Sequence, residues 1–394
     1  MPRMSATHLH QNPFGTRVKL LWHLDRLAEW QLHGDTFPIQ MEINLTNYCN
    51  EACRWCISAY SHLSNPAMTA QEKEQRSTKL KESSMISGHP ERQRGLDLRH
   101  LQVFLERARG KGLRAVTWSG GGEPTTHPDF MGAVRSAAAN DLEQGLMTNG
   151  LFKSSYVPEL GDTLRWLRVS LDTLSAARYE EQKITKGFGQ VIANIRQLVN
   201  YRVQVGVNMN LAAWNVDEIL QMAQWCRDEG VDYFQVRPIL GLPFAMTHNA
   251  PYRTQPEIDW AKVKPLLLEA ETYSTDNFRV AISWDKFEDV CSDDGKFGRT
   301  YKKCLYHYFF CVLNANGDLC VCMYHLGDDA FTFGNIYENT LDEIWAGPKR
   351  REVINMCATN LDLSTCQVCC KGHEINKTMH LIENPDLGSG INFL

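Results

Sequence analysis

The chain has 394 residues, 43% of them hydrophobic, and a formal net charge of −5, which allows a sizeable core split between a larger and a smaller domain. Its basic residues form no long run, so duplex nucleic acid is not an expected partner; no apolar stretch reaches membrane-spanning length, and the N-terminus lacks the charged-then-apolar layout of an export signal. A cytoplasmic protein is expected, and its 13 cysteines, gathered mainly in two regions, favour metal ligation in a reducing compartment over disulfides.

Residues 1–37 read as an N-terminal helical extension, because Leu21, Leu24, Leu27 and Trp30 recur near helical spacing within Val18–His33. Six strands are predicted next, at 39–46, 115–119, 144–148, 167–172, 203–211 and 233–238. Amphipathic stretches such as 98–109, 188–201 and 216–229 lie between them and read as crossover helices. Repeated βα units imply a parallel sheet, here an α/β core of six units over 38–240 in the form of a partial TIM-type barrel. It carries a polar insert at 57–95, of about forty residues, longer than ordinary loops and readable as a substrate lid or as a disordered segment. Residues 241–300 read as a linker region, 301–382 as a small α+β domain and 383–394 as a loop-like tail.

The strands alternate in polarity. Gln40, Glu42, Asn44 and Thr46 share one face of the first; Arg168, Ser170 and Asp172 share one face of the fourth; Gln204, Asn208 and Asn210, then Gln235 and Arg237, repeat the pattern. An ordinary parallel barrel is apolar on both faces, so these residues predict a polar lumen. The alternative is a set of antiparallel strands with one solvated face. Since a buried polar lining is costly unless hydrogen-bonded, the lumen is expected to bind polar ligands, with Glu42, Asn208, Asn210, Gln235 and Arg237 as substrate contacts.

Two motifs carry the chemistry. Cys49, Cys53 and Cys56 form C-x₃-C-x₂-C with Trp55 before the last cysteine, and three thiolates on one cubane iron–sulfur cluster leave an iron open. Zinc is the rival occupant of such closely spaced cysteines. After the second strand comes Gly120-Gly121-Gly122-Glu123-Pro124, in which glycines admit close backbone approach and a carboxylate can meet an ammonium. In this order and strand context the motifs resemble those of the radical S-adenosylmethionine (SAM) enzymes. The resemblance implies an open (β/α)6 barrel, a [4Fe–4S] cluster on Cys49, Cys53 and Cys56, and SAM held by Trp55, Gly121, Gly122, Glu123, Asn149, Ser170 and Asp172. Where some members have a carboxylate-binding arginine, this chain has Gln182-Lys183, and Lys183 is expected either to supply that charge or to leave the role unfilled.

The second cysteine region runs Cys304-x₁₂-Gly317-x₄-Cys322 and then Cys366-x₂-Cys369. Asn316-Gly317 predicts a two-residue hairpin turn that brings the ends carrying Cys304 and Cys322 together. Thr340 to Glu343 reads as a capping box opening a helix. The arrangement resembles the SPASM and twitch extensions of the same family, which implies one auxiliary [4Fe–4S] cluster on Cys304, Cys322, Cys366 and Cys369, with Cys320 or Cys370 as alternatives in register. A structural zinc remains the rival here.

The resemblance further implies a flavodoxin or ferredoxin reductant and reductive cleavage of SAM to a 5′-deoxyadenosyl radical that takes a hydrogen atom from the substrate. The expected substrate is a small polar metabolite, such as an amino sugar, nucleoside or amino-acid derivative, undergoing oxidation, epimerisation or rearrangement. Two other classes stay open: a peptide- or protein-modifying maturase, for which the roughly 38 residues before the first strand look too few to hold a leader-binding domain, and a noncatalytic metal-binding or redox-sensing protein.

Overall fold

A computed structural model describes residues 19–53, 95–239, 258–291, 299–326, 328–363, 366 and 370–384. Trp55, Cys56, Cys369, residues 57–94 of the insert and the tail beyond 384 lie outside them. At the N-terminus a short 3₁₀ turn, Lys19–Trp22, leads into α1 (Leu24–His33), which lays Leu27 against Leu305, Tyr308 and Met379 outside the barrel.

The six expected strands form: β1 (Gln40–Asn44), β2 (Ala115–Ser119), β3 (Glu143–Thr148), β4 (Trp166–Ser170), β5 (Gln204–Leu211) and β6 (Tyr233–Pro238), each parallel to the next. Between them run α2 (Leu98–Gly110), α3 (Phe130–Ala139), α4 (Val157–Thr163), α5 (Ala176–Lys183), α6 (Phe188–Leu198) and α7 (Ile219–Asp228). The Asp97 carboxylate accepts from the His100 N–H to start α2, and Ser175 caps α5 in the same way. The outward strand faces are apolar. Met41, Ile43, Val205, Val207 and Met209 are fully buried under the helices, each worth roughly 1.5–3 kcal/mol relative to exposure.

The inward faces are polar, as the alternation predicts, but the floor is aromatic. A Cβ on Gly145 would overlap the Trp166 indole, and one on Gly206 would overlap the Tyr233 ring. Each bare glycine admits its neighbour's ring across the sheet and closes the lower end of the lumen.

The sheet continues past the sixth strand, which corrects the reading of 241–300 as a linker. Helix α8 (Trp260–Glu271), strand β7 (Arg279–Ile282) and helix α9 (Trp284–Cys291) follow, with β7 parallel to β6. A four-residue strand and a helix interrupted by Pro265 carry too little periodicity to be read from sequence. At the opposite edge β8 (Phe310–Leu313), from the second cysteine region, pairs in parallel with β1, and the antiparallel β9 (Asp318–Cys320) and β10 (Thr332–Asn335) complete one sheet of the described residues. Leu313 pairs with Leu319, and the Asn314 N–H donates to the Asp318 carbonyl. The hairpin loop is therefore the three residues 315–317 with Gly317 at φ +93°, and not the predicted two-residue turn. Beyond it the capping box forms between Thr340 and Glu343 at the start of α10 (Leu341–Ala346), followed by α11 (Pro348–Thr359) and α12 (His373–Glu383).

Candidate active site

The first cysteine loop leaves β1 at the C-terminal end of the barrel and is tied to three neighbouring strand ends. The Gly122 N–H donates to Thr46 O (3.1 Å) and the Glu123 N–H to Tyr48 O (2.9 Å). A Cβ on Gly122 would overlap the Tyr48 carbonyl, so the glycine is what lets the two loops touch. Asn149, after β3, donates through Nδ2 to Asn50 Oδ1 (2.7 Å), and Asn50 Nδ2 donates to Leu151 O (2.7 Å).

Glu123, expected to pair with an ammonium, has both carboxylate oxygens hydrogen-bonded within the protein. Its Oε1 accepts from the Thr125 N–H (3.2 Å) and from the hydroxyls of Thr125 and Thr148 (both 2.7 Å), and its Oε2 accepts from the Asn149 N–H (2.7 Å). Burial raises its pKa above the ordinary carboxylate value, and these donors oppose the rise. Sequence spacing places a carboxylate after the glycines but does not say which way it turns; Pro124 opens a 3₁₀ turn that folds it inward.

Lys183 is likewise already engaged. Its ammonium sits between Asp172 Oδ2 (3.1 Å) and Glu51 Oε2 (3.4 Å) and also donates to Ser170 O, with about 2% of the side chain exposed. Glu51 lies within the cysteine loop, accepts from the Tyr179 hydroxyl through Oε1, and faces Cys53 Sγ at 3.4 Å. The Ala52 N–H donates to Lys183 O (2.9 Å). Burial raises the Glu51 pKa while Lys183 opposes that rise; for Lys183 burial pulls downward, but Glu51, Asp172, Cys53 and Tyr179 together hold it well above its usual value. Asp172, at φ +67°, also accepts from the Asn210 N–H (2.7 Å) and Nδ2 (3.0 Å). Asn210, expected to face substrate, thus braces the end of β4. Glu51 and Tyr179 were missed; an acid between two candidate cluster cysteines, which needs a buried cation, was the available signal.

Deeper in the lumen the remaining predicted residues meet. Gln235 Oε1 accepts from Arg168 Nη1 (2.6 Å) and its Nε2 donates to Ser283 Oγ (3.5 Å), so Ser283 orients the amide that holds Arg168. Arg168 also contacts Met147 Sδ (3.2 Å). Glu42 pairs with Lys371, whose ammonium lies 4.5 Å from the centre of the Phe310 ring. Among the described residues, four buried polar atoms on inward-facing residues have no hydrogen-bond partner: Asn44 Oδ1, Asn208 Oδ1, Arg237 Nε and, at the floor, the Tyr233 hydroxyl. Arg168, Asn44 and Lys371 were not among the predicted contacts, although the first two stand in the polar alternation.

In the second cysteine region Cys304, Cys322, Cys366 and Cys370 line one pocket with Tyr306, Phe310 and Lys371. Cys320 is buried elsewhere, its sulfur 3.7 Å from Thr332 Oγ1. Among the described residues no three Cys, His, Asp or Glu side chains already stand at metal-holding distances. The four thiols nevertheless sense one another: burial raises the pKa of each, and neighbouring thiols add to the rise at Cys304, Cys322 and Cys366. A buried group of thiols of this kind ionises together only with a cationic centre to balance it, which fits an iron–sulfur cluster.

The comparisons with known proteins agree with this geometry. Residues 43–237 match the radical SAM superfamily model, and residues 304–370 match the SPASM iron–sulfur cluster-binding domain model. The chain belongs to the radical SAM superfamily and carries a C-terminal SPASM-type domain. The radical SAM domain implies SAM and a [4Fe–4S] cluster as cofactors, and the SPASM-type domain implies auxiliary iron–sulfur clusters. The chain is 32% identical over 209 residues to molybdenum cofactor biosynthesis protein 1 of Drosophila melanogaster, covering 52% of this chain and 32% of that protein, so the match spans about a third of that relative. It is 25% identical over 264 residues to the tungsten-containing aldehyde ferredoxin oxidoreductase cofactor-modifying protein of Pyrococcus furiosus, covering 60% of this chain and 68% of that one. The crystal structure of Streptococcus suis SuiB bound to S-adenosylmethionine aligns with a TM-score of 0.60 at 18% identity, covering 86% of this chain and 72% of that one, a likeness of fold. No helix of the described residues is long and apolar enough to cross a membrane.

Proposed function

We propose that this enzyme abstracts a hydrogen atom from a small polar metabolite held in the barrel lumen, with one auxiliary [4Fe–4S] cluster beside it. The observation that carries the reading is the set of unpartnered buried atoms, Asn44 Oδ1, Asn208 Oδ1 and Arg237 Nε, because an orphaned polar atom costs roughly 1–3 kcal/mol unless a ligand satisfies it. The relatives named for cofactor biosynthesis and cofactor modification support a small-molecule substrate.

In this reading Cys49, Cys53 and Cys56 hold the SAM cluster. Gly121 and Gly122 supply backbone at the SAM amino end, and Glu123 and Asn149 brace that backbone without touching the ligand. Cys304, Cys322, Cys366 and Cys370 hold the auxiliary cluster, with Cys370 in place of Cys369, in keeping with a SPASM match that ends at residue 370. When bound, SAM and its cluster supply the 5′-deoxyadenosyl radical, and a flavodoxin or ferredoxin supplies the electron. The protein's share is orientation and exclusion of water. Lys371 follows Cys370 directly and pairs with Glu42 in the lumen, so the auxiliary site borders the substrate site.

The test is formation of 5′-deoxyadenosine by the reconstituted enzyme with metabolite and peptide fractions of a cell extract. The small-metabolite fraction should stimulate it, and Arg237→Ala should lose the stimulation while keeping uncoupled SAM cleavage. Stimulation by the peptide fraction alone would sink the reading.

A further inference from the structure

The segment that carries Cys304 lies along α12, the helix that follows Cys370. The Tyr301 hydroxyl meets His373 Nδ1 (3.1 Å) at the start of α12, and Lys303 Nζ donates to Glu383 Oε1 (2.8 Å) at its end, so the two halves of the thiol pocket are fastened to each other. Between these contacts stands Asn376, about 2% exposed, whose amide has two tasks. Its Oδ1 accepts from the N–H groups of Leu305 (2.8 Å) and Tyr306 (2.9 Å), the two residues directly after Cys304. Its Nδ2 is directed at Cys304 Sγ, 3.9 Å away.

Two backbone donors on one oxygen fix which way this amide faces. Turned over, it would set its own N–H groups against two others and strand both backbone donors, at roughly 1–3 kcal/mol each. The amide nitrogen is therefore held toward the sulfur. Burial raises the Tyr301 pKa, and a side-chain hydrogen bond from Asn376 is among the influences that oppose the rise, which gives the other amide hydrogen a role. The contact with Cys304 is long because a thiol is a weak acceptor. A thiolate is a stronger one, and hydrogen bonds to an ionised acceptor are shorter.

We infer that Asn376 is a positioning residue of the auxiliary centre: it seats the backbone after Cys304 and donates an N–H···S hydrogen bond to the Cys304 thiolate, which holds the auxiliary cluster's reduction potential above the value reached without that donor. The inference rests on Cys304 being a ligand of that cluster. Reduction makes a cluster more negative, and a donor aimed at one of its sulfurs favours the more negative form. A higher potential makes the auxiliary cluster a readier electron acceptor beside the lumen.

The experiment uses the full chain, anaerobically reconstituted, with iron analysis and a redox titration followed by EPR, in which excess SAM marks the signal of the cluster it binds. Asn376→Asp keeps an oxygen for the Leu305 and Tyr306 N–H groups and loses the N–H to sulfur. It should retain wild-type iron, lower the auxiliary reduction equilibrium at least about tenfold, which is about 59 mV for one electron, and leave the potential of the SAM cluster unchanged. A carboxylate also lowers a potential through its charge, so wild type made with ¹⁵N-labelled asparagine supplies the second arm. Pulsed EPR of its reduced auxiliary cluster should show a ¹⁵N coupling that labelled Asn376→Asp lacks. An unmoved auxiliary potential at full iron overturns the inference, and so does an equal fall at both clusters, which a general loosening of the fold would give. Wild type without the ¹⁵N coupling overturns it as well, whether or not Asn376→Asp assembles. Wild type with only about four irons per chain would remove the auxiliary cluster and this inference together, whereas about eight irons without the coupling would overturn the inference alone.

Discussion

The rim of the barrel and its interior use the same residue types to opposite ends. At the rim Glu123, Asn149, Asp172, Lys183 and Glu51 all have partners within the protein, and they fasten the cysteine and glycine loops to the strand ends. In the interior Asn44, Asn208 and Arg237 keep buried atoms unpaired. In the proposed reading, the difference separates residues that build a cofactor platform from residues that await a ligand. Polarity alone does not distinguish them, but hydrogen-bond satisfaction does.

Replacing Cys49, Cys53 and Cys56 together by alanine should have the largest effect: 5′-deoxyadenosine formation is abolished, and iron falls from about eight to about four per chain if two [4Fe–4S] clusters are present. Iron analysis with a dithionite-driven assay checks this. Next, Lys183→Met leaves Glu51 and Asp172 buried without their shared cation, an expected loss of about 3–5 kcal/mol, visible as a fall in Tm and in reconstituted iron. A Lys183→Met protein of wild-type stability that merely binds SAM more weakly would move Lys183 from the platform to the ligand. Glu123→Ala strands the Thr125 and Thr148 donors and the Asn149 N–H, and should cost roughly 2–3 kcal/mol in denaturant unfolding.

The interior should behave the other way. Asn208→Leu removes an unsatisfied acceptor and should leave ligand-free stability unchanged or raise it by about 1 kcal/mol, while substrate turnover is lost. A clear destabilisation by Asn208→Leu would erase the contrast between the two regions. Arg237→Gln should be the mildest, within about 0.5 kcal/mol in stability, and should act on substrate alone.

The sequence by itself determined the class of this protein. Three cysteines on a short loop after one strand and a glycine run after the next have local spacing that needs no tertiary contact to be read, and period-two polarity in the strands announced a polar interior. Tertiary structure alone decided which polar residues are satisfied within the protein and which keep buried atoms unpaired. Lys183 and Glu51 are 132 residues apart, and Lys371 and Glu42 are 329 residues apart; no window of the chain contains either pair. The direction of the Glu123 carboxylate, the extension of the sheet by β7 and β8, and the presence of Cys370 in the thiol pocket were settled the same way. Burial makes an ion pair or an orphaned atom matter energetically, and burial is a property of the folded chain.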